Sequence, residues 1–219
     1  MNWLSRMEYK YGRKAPRRLM LLIAGGQIIT WLVMLFAYAA LPAHMMLARY
    51  QIFHGEIWRL ISFLFIPVEI TPNPLFFALA TYLVYWIGSS LENVWGSFKF
   101  DVYLGLGILG AWLSCMLVGI GGTSALYYSL FFAFAYLFPD VQLLLFFIIP
   151  IKVKWLGALA AVLYVIDIFT SGSLLASLSL IVGLLNFWIF FGKDGFRTAK
   201  NSIQQYRRRK EWQKQWRDR

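Results

Sequence analysis

Six apolar runs, separated by short polar or proline-containing segments, most constrain what this chain of 219 residues can fold into. A helix that crosses a bilayer needs about 17–25 predominantly apolar residues, and a water-soluble core has no room for so many such segments. Only 14% of the residues are charged, which agrees with solvation by lipid. The sequence therefore predicts an all-α polytopic membrane protein. The predicted spans are residues 19–41, 75–91, 102–120, 124–138, 155–169 and 174–191.

The fourth and fifth runs, 124–138 and 155–169, are at the lower limit of length for a span. Short spans need shelter from neighbouring helices or a locally thin bilayer. A further apolar run, 143–149, lies between Pro139 and Pro150 and is too short to cross as a helix. We expect an interfacial or re-entrant connection there.

The basic residues predict the orientation of the spans. With both termini in the cytoplasm, 19 of the 21 Lys and Arg lie on the cytoplasmic side, and only Arg49 and Arg59 lie outside. This distribution follows the positive-inside rule. The predicted organisation is a basic cytoplasmic arm (1–18), a membrane domain (19–192) that contains a long outer segment (42–74), and a basic cytoplasmic tail (193–219).

The net charge of +11 is concentrated at the two ends, which predicts contact with anionic lipid headgroups. A nucleic-acid partner for the tail is disfavoured because no nucleic-acid-binding fold accompanies it. The outer segment is rich in aromatic and aliphatic residues, so we expect short amphipathic helices on the membrane surface. No cofactor or metal is predicted. The short loops, without a targeting segment, indicate a bacterial plasma (inner) membrane.

The third run contains Gly105, Gly107 and Gly110 in a GxGxxG pattern. A dinucleotide site needs a strand before this pattern, a helix that begins within it and an acidic residue beyond it. Because these glycines lie inside a predicted span, we interpret them as positions of close helix packing. Ser179 and Gly183 have small-xxx-small spacing and are predicted to pack the sixth run against another helix.

Several short motifs together resemble the rhomboid superfamily. Residues 55–60 contain a Trp-Arg pair before the second run, and residues 88–92 have a Gly-x-x-Leu-Glu pattern near its end. Residues 122–125 begin the fourth run, and residues 149–155 lead into the fifth. The order and spacing cover roughly residues 55–190. The resemblance implies a six-helix bundle with both termini in the cytoplasm.

The resemblance also locates the positions of a protease site. Active rhomboids resemble Gly-x-Ser-Gly at the start of the fourth span and carry a histidine base in the sixth. Ser124 occupies the nucleophile position, but Ala125 replaces the second glycine. The sixth run contains no histidine, and Ser177 or Ser179 stands at about that position.

The chain also departs from the family's pattern at two positions that would stabilise an oxyanion. Phe76 and Ala80 stand where the family usually presents histidine and asparagine to an oxyanion. A serine hydroxyl needs a base within hydrogen-bond reach, and losing one oxyanion donor alone costs on the order of 10²–10³ in rate. No catalytic residue is therefore predicted. Ser124 is interpreted as a small residue that caps the fourth helix.

The other motif residues receive structural interpretations. Arg59 is predicted to anchor the outer segment to backbone carbonyls, and Trp58 to lie at the membrane interface. Glu92 is predicted to pair with Lys99 or to cap a turn. The family-motif positions are Trp58, Arg59, Leu91, Glu92, Gly122 and Ser124.

The sequence thus predicts a rhomboid-like pseudoprotease, nearer to derlin-type members than to proteases. Such a protein binds transmembrane clients without cutting them, in membrane-protein quality control or trafficking. The short fourth and fifth spans and the outer segment are expected to thin the adjacent bilayer and lower the cost of moving a client helix. The alternatives are an intramembrane serine protease with an atypical site at Ser124, and a small transporter, although no internal repeat supports the latter.

Overall fold

A computed structural model describes residue 16, residues 18–145 and residues 149–192 of the chain. Nearly all of the N-terminal arm and the whole tail, with their predicted lipid contacts, lie outside the described residues. The helices are α1 (Leu19–Phe36), α2 (Leu41–Met45), α3 (Arg49–Phe53), α4 (Arg59–Ser62), α5 (Pro74–Trp95), α6 (Ser97–Val118), α7 (Ser124–Leu137), α8 (Val153–Thr170), α9 (Leu174–Gly183) and α10 (Leu185–Gly192). The strands are β1 (Leu47–Ala48), β2 (Ile120–Gly121), β3 (Gln142–Leu145) and β4 (Ile149–Lys152).

The protein is mostly helical, and several of its helices have the length and composition of membrane spans. Within the described residues, α1, α5, α6 and α8 are long and apolar enough to cross a membrane. The pair α9–α10 makes a fifth span if it is counted as one, and it is bent by 55°. By length and composition, this is a membrane protein with four or five candidate spans. The short helix α7, with 14 residues, does not meet the same criterion.

Local signals set the helix ends. The Asn73 side chain accepts a hydrogen bond from Leu75 N at 3.0 Å, and Pro74 takes the first helical position of α5. Gly96 alone separates α5 from α6, and its φ of 81° lets the chain reverse there without a Cβ clash. Gly119 ends α6 in the left-handed conformation.

Four predicted span boundaries are wrong. The first run, predicted to end at residue 41, ends as α1 at Phe36, and the third run, predicted to begin at residue 102, begins as α6 at Ser97. The fifth run, predicted as residues 155–169, forms the 18-residue α8, because the helix begins at Val153 directly after β4. It is therefore long enough to span. The second run, predicted to end at residue 91, continues as α5 through Glu92 to Trp95. Hydropathy located these runs, but in the second, third and fifth it missed helical turns with polar or charged residues at their ends.

The outer segment is held by backbone pairing. Its strand β1 pairs antiparallel with β2, so that Leu47 faces Gly121 and Ala48 faces Ile120. Arg49 adds a hydrogen bond from its backbone N to Gly119 O at 2.8 Å. The segment contains α2, α3, α4 and a 3-10 turn, Phe63–Phe65, which agrees with the short helices predicted there.

The apolar run 143–149 contributes to a hairpin rather than to a helix. Strand β3 pairs antiparallel with β4, with Gln142 opposite Lys152 and Leu145 opposite Ile149. Val153 N then donates to Val141 O at 2.8 Å, which fixes the start of α8 beside the end of α7. Residues 146–148 lie outside the described part.

Both ends of the membrane domain lie at one face of the bundle. Glu92, near the end of α5, accepts a hydrogen bond from Arg18 N, immediately before α1, at 3.0 Å. The ring of Phe191, near the end of α10, lies 5.8 Å from that of Trp95 and 4.9 Å from that of Tyr136, near the end of α7. We call this the termini face. The segment 42–74 and the β1–β2 ladder lie at the opposite ends of α1 and α5.

Candidate functional site

Ser124 is the first residue of α7, and its side chain is exposed. The predicted capping role is wrong: the N-cap residue is Thr123, and its side chain makes no capping hydrogen bond. Thr123 already has helical dihedral angles, whereas a capping side chain is normally presented from an extended residue. Gly122, beside it, has open space where a Cβ would lie. Within the described residues, Ser124 Oγ has no hydrogen-bond partner.

The serines at the predicted base position are bonded to backbone carbonyls. Ser179 is buried, and its hydroxyl donates to Ala176 O of its own helix at 2.9 Å. Ser177 donates to Ile168 O at 2.7 Å and lies 2.8 Å from the Ser171 hydroxyl. These bonds close the turn between α8 and α9. A serine hydroxyl that donates to a backbone carbonyl supplies no base for Ser124.

Both histidines of the chain lie in the outer segment. His44 Nε2 is 2.7 Å from the Tyr38 hydroxyl, and His54 Nδ1 is 2.7 Å from the carbonyl oxygen of Tyr50. Phe76, at one position expected for an oxyanion donor, is exposed. No group of three His, Cys, Asp or Glu side chains suited to a metal ion occurs in the part of the chain that the structure describes.

Small residues bring α9 against α6 and α7. A Cβ at Gly110 of α6 would lie 2.8 Å from Val182 O, and a Cβ at Gly183 would lie 2.6 Å from the Ala125 Cβ of α7. Real Cβ atoms essentially never approach this closely, so these backbones can pack only with glycine at the two positions. The packing prediction therefore holds at Gly110 and Gly183.

The other two glycines of the GxGxxG pattern differ from each other. A Cβ at Gly107 would lie 2.8 Å from Asn186 Nδ2 and would also meet the Leu126 side chain. At Gly105 nothing lies within 4 Å of an added Cβ. The packing prediction is wrong for Gly105, because residues two apart on a helix do not share a face.

A buried polar network joins the last segment to the centre of the bundle. Asn186 Nδ2 donates to Ser129 Oγ at 2.7 Å, and the Ser129 hydroxyl donates to Leu126 O at 2.7 Å. Tyr103 OH donates to Ser129 O at 2.8 Å. Asn186, Ser129 and Tyr103 are all fully buried. These contacts link α6, α7 and α10.

Arg59 anchors the outer segment. Its side chain is buried, and its Nη1 donates to Ala43 O and Met46 O, each at 2.9 Å. Its Nη2 lies 2.6 Å from Glu56 Oε2 in an ion pair. These are the carbonyl contacts predicted for Arg59. The neighbouring Trp58 has 55% of its surface exposed, as an interfacial side chain requires.

Glu92 connects two segments at the termini face through hydrogen bonds. Its Oε1 accepts hydrogen bonds from the Ser97 hydroxyl at 2.7 Å and from Arg18 N at 3.0 Å. One carboxylate thus ties the α5–α6 turn to the start of α1. Leu91, the preceding motif residue, is fully buried in the core.

Sequence reasoning missed a second buried polar pair. Gln27 of α1 is fully buried, and its Nε2 donates to the Tyr127 hydroxyl of α7 at 2.5 Å. Its Oε1 has no partner in the described residues. The available signal was the isolated polar residue inside an apolar span, at Gln27 and likewise at Asn186.

An apolar groove of about 640 Å³ opens between α1 and α5. Small residues form part of its walls, including Ala24 and Gly25 on α1 and Ala78 on α5. A Cβ at Gly25 would meet nothing within 4 Å. Thr81 also lines the groove: it is 95% buried, and within the described residues its hydroxyl has no hydrogen-bond partner. We call this the α1–α5 groove.

The sequence matches no protein-family model, and no curated protein matches it at a significant level.

Proposed function

We propose that the chain is a rhomboid-like membrane protein with six crossing segments and both termini in the cytoplasm of a bacterial cell. The bent pair α9–α10 forms the sixth segment, and α7 is the fourth. A helix of 14 residues is only about 21 Å long, but α7 packs against α5, α6 and α8, which shelter its ends. The contacts at the termini face and the distribution of basic residues support this topology.

Cysteine labelling tests this topology. Cys115 is the only cysteine and is buried, so its background labelling is low. In intact spheroplasts, an impermeant maleimide should label Phe53→Cys and Ile120→Cys but not Lys154→Cys. Inverted vesicles should give the reverse pattern. Labelling of all three from the same side would contradict the proposed crossings.

The proposed function is to bind the transmembrane helices of other proteins without cleaving them, in membrane-protein quality control or trafficking. The observation that carries this proposal is the α1–α5 groove with the buried, unpartnered hydroxyl of Thr81. In lipid, helices associate through close backbone approach at small residues and through interhelical hydrogen bonds. The groove offers the first through Gly25 and its neighbours. The Thr81 hydroxyl is covered in the groove wall, and a rotation of its side chain would present it to a client helix.

A helix suits this groove better than a lipid chain does. An acyl chain carries no group that can bond to the Thr81 hydroxyl, whereas a polar side chain on a client helix can. A buried polar group without a partner costs free energy, so a client that supplies the partner gains affinity. We therefore propose clients that carry a hydrogen-bonding residue within the span.

Groove binding replaces bilayer thinning as the proposed mechanism. The thinning hypothesis rested on two short spans and the outer segment, but α8 has 18 residues, and the short α7 lies among other helices rather than facing lipid alone. The exposed apolar side chains of the outer segment, such as Phe53 and Ile57, remain suited to insertion at the interface.

A defined peptide tests client binding. Energy transfer between the labelled chain and a Leu/Ala single-span peptide in liposomes reports their association. A peptide with one central Asn should bind more tightly than the all-Leu/Ala peptide, by roughly threefold or more for one interhelical hydrogen bond. Thr81→Val should remove this difference because it deletes the hydroxyl and keeps the shape.

Two glycine variants give a matched control. Gly25→Phe fills the groove, while Gly105→Phe adds the same ring where a Cβ also meets nothing, on a helix that does not line the groove. Gly25→Phe should abolish association, and Gly105→Phe should leave it unchanged. Equal effects of the two variants, or equal binding of both peptides, would contradict the proposal.

A further inference from the structure

A second groove, of about 370 Å³, lies between α8 and the bent pair α9–α10. Its walls include Ala158 and Ala161 of α8, Leu184 at the bend, and Trp188 of α10. The 55° bend turns α10 away from the direction of α9. We call this the α8–α10 groove.

The interior of this groove is mostly apolar, and its most buried hydroxyl is bonded. Tyr164 lines it, but its hydroxyl donates to Leu180 O at 2.8 Å. The Tyr136 hydroxyl, near the termini face, and the Trp188 indole N–H have no hydrogen-bond partner among the described residues, but the rest of the lining is apolar. A hydrocarbon chain needs no hydrogen-bond partner, so this lining favours one.

Lys154 is the charged residue in the described lining, at the end of the groove toward the termini face. Its side chain is 46% exposed, and its nearest ion-pair partner, Asp140 Oδ1, is 3.9 Å away and itself well exposed. The same carboxylate oxygen is closer to Lys152 Nζ, at 3.4 Å. The Lys154 ammonium therefore remains available to an anion at the groove mouth.

The dimensions match one leaflet. From Lys154 to Ile168 the lining runs along about 14 residues of α8, or about 21 Å at the helical rise. Half of the hydrocarbon core is about 15 Å thick. A chain that starts at headgroup depth beside Lys154 can therefore lie in the groove along the whole depth of its leaflet.

We propose that the α8–α10 groove binds one acyl chain of an anionic phospholipid, whose phosphate is held by Lys154. Basic residues at the cytoplasmic ends of grooves between transmembrane helices suit anionic headgroups. The bend between α9 and α10 is then the feature that creates the lipid-binding groove. This inference depends on the helices crossing a membrane, and it does not depend on client binding.

Native mass spectrometry of the full chain tests the site. The chain in detergent receives equal amounts of phosphatidylglycerol and phosphatidylcholine with identical acyl chains. The wild-type chain should retain phosphatidylglycerol preferentially. Lys154→Gln should weaken that binding about fivefold, as expected for one basic residue near the headgroup. Lys152→Gln, a neighbouring lysine that does not line the groove, should leave it unchanged.

A second pair of variants tests the acyl-chain contact. Ala161→Phe fills the groove, whereas Val162→Phe places the same ring on an exposed part of α8 that does not line it. Ala161→Phe should abolish retention of phosphatidylglycerol, and Val162→Phe should preserve it. Equal effects within either pair, or no preference between the lipids, would overturn the proposal. Loss of single-span peptide binding instead of lipid binding in Ala161→Phe would assign the groove to a helix.

Discussion

Gly183 of α9 lies so close to Ala125 of α7 that an added Cβ would be 2.6 Å from the Ala125 Cβ. This contact joins α7 and α9 directly after Ser124. In the protease site that the rhomboid resemblance implies, a base on α9 would face this serine. Here the two helices are joined by packing, and the hydroxyls of Ser177 and Ser179 are bonded to backbone carbonyls.

The first prediction concerns this contact. Gly183→Ala should destabilise the protein by about 1–3 kcal/mol, because the two backbones must separate to admit the methyl group. Gly105→Ala adds the same methyl group in open space and should be neutral or slightly stabilising. Unfolding by SDS in mixed micelles measures both changes. Similar losses in the two variants would contradict the close approach.

The second prediction concerns the buried network. Asn186→Ala and Ser129→Ala should each destabilise the protein by about 1 kcal/mol, since each removes the same interhelical hydrogen bond. The double variant should lose less than the sum of the two, because both single variants delete one shared interaction. The same SDS unfolding experiment measures the coupling. Strict additivity would show that the bond contributes nothing.

The third prediction concerns the anchor of the outer segment. Arg59→Lys should loosen this segment, because one ammonium group cannot replace the fork that contacts Ala43 O, Met46 O and Glu56. We expect a loss of about 3 kcal/mol in local stability and much faster proteolytic cleavage within residues 42–74. Arg49→Lys is the matched control, since Arg49 is exposed and, among the described residues, its side chain donates only to Met116 O. Equal cleavage rates in the two variants would refute the anchoring role.

The fourth prediction concerns Ser124. The wild-type chain should not react with a fluorophosphonate probe, because a serine without a base is a weak nucleophile. Ser124→Ala should therefore give the same in-gel signal as the wild type, and an active rhomboid protease serves as the positive control. Labelling of the wild type that disappears in Ser124→Ala would contradict this prediction and support the protease alternative.

Hydropathy predicted the position of every long helix but not all of their ends. Hydropathy reflects where side chains prefer lipid, so it ended the second run before Glu92. The helix continues to Trp95, and the Glu92 carboxylate accepts a hydrogen bond from the Ser97 hydroxyl at the turn. Hydropathy also missed the bend between α9 and α10, because the run there is apolar throughout. The β3–β4 hairpin was missed for the same reason, since a short apolar run has no single preferred backbone.

The candidate site was less predictable than the fold. Arg59 was assigned correctly because a cation at the edge of lipid needs oxygen partners. Gly105 was assigned wrongly because spacing alone does not show which face of a helix meets a neighbour. The grooves depend on how α1 packs against α5 and α8 against α10. The spacing between these helices follows from tertiary packing and cannot be predicted from the sequence of one segment.

The most direct test of the account combines binding and cleavage in one experiment. The chain is reconstituted with a doubly tagged single-span protein that carries a central Asn, and both co-purification and the length of the single-span protein are followed over hours. We predict association that Thr81→Val weakens and Gly25→Phe abolishes, with the single-span protein intact throughout. A shortened product that requires Ser124, or no association with the wild-type chain, would contradict a protein that binds helices without cutting them.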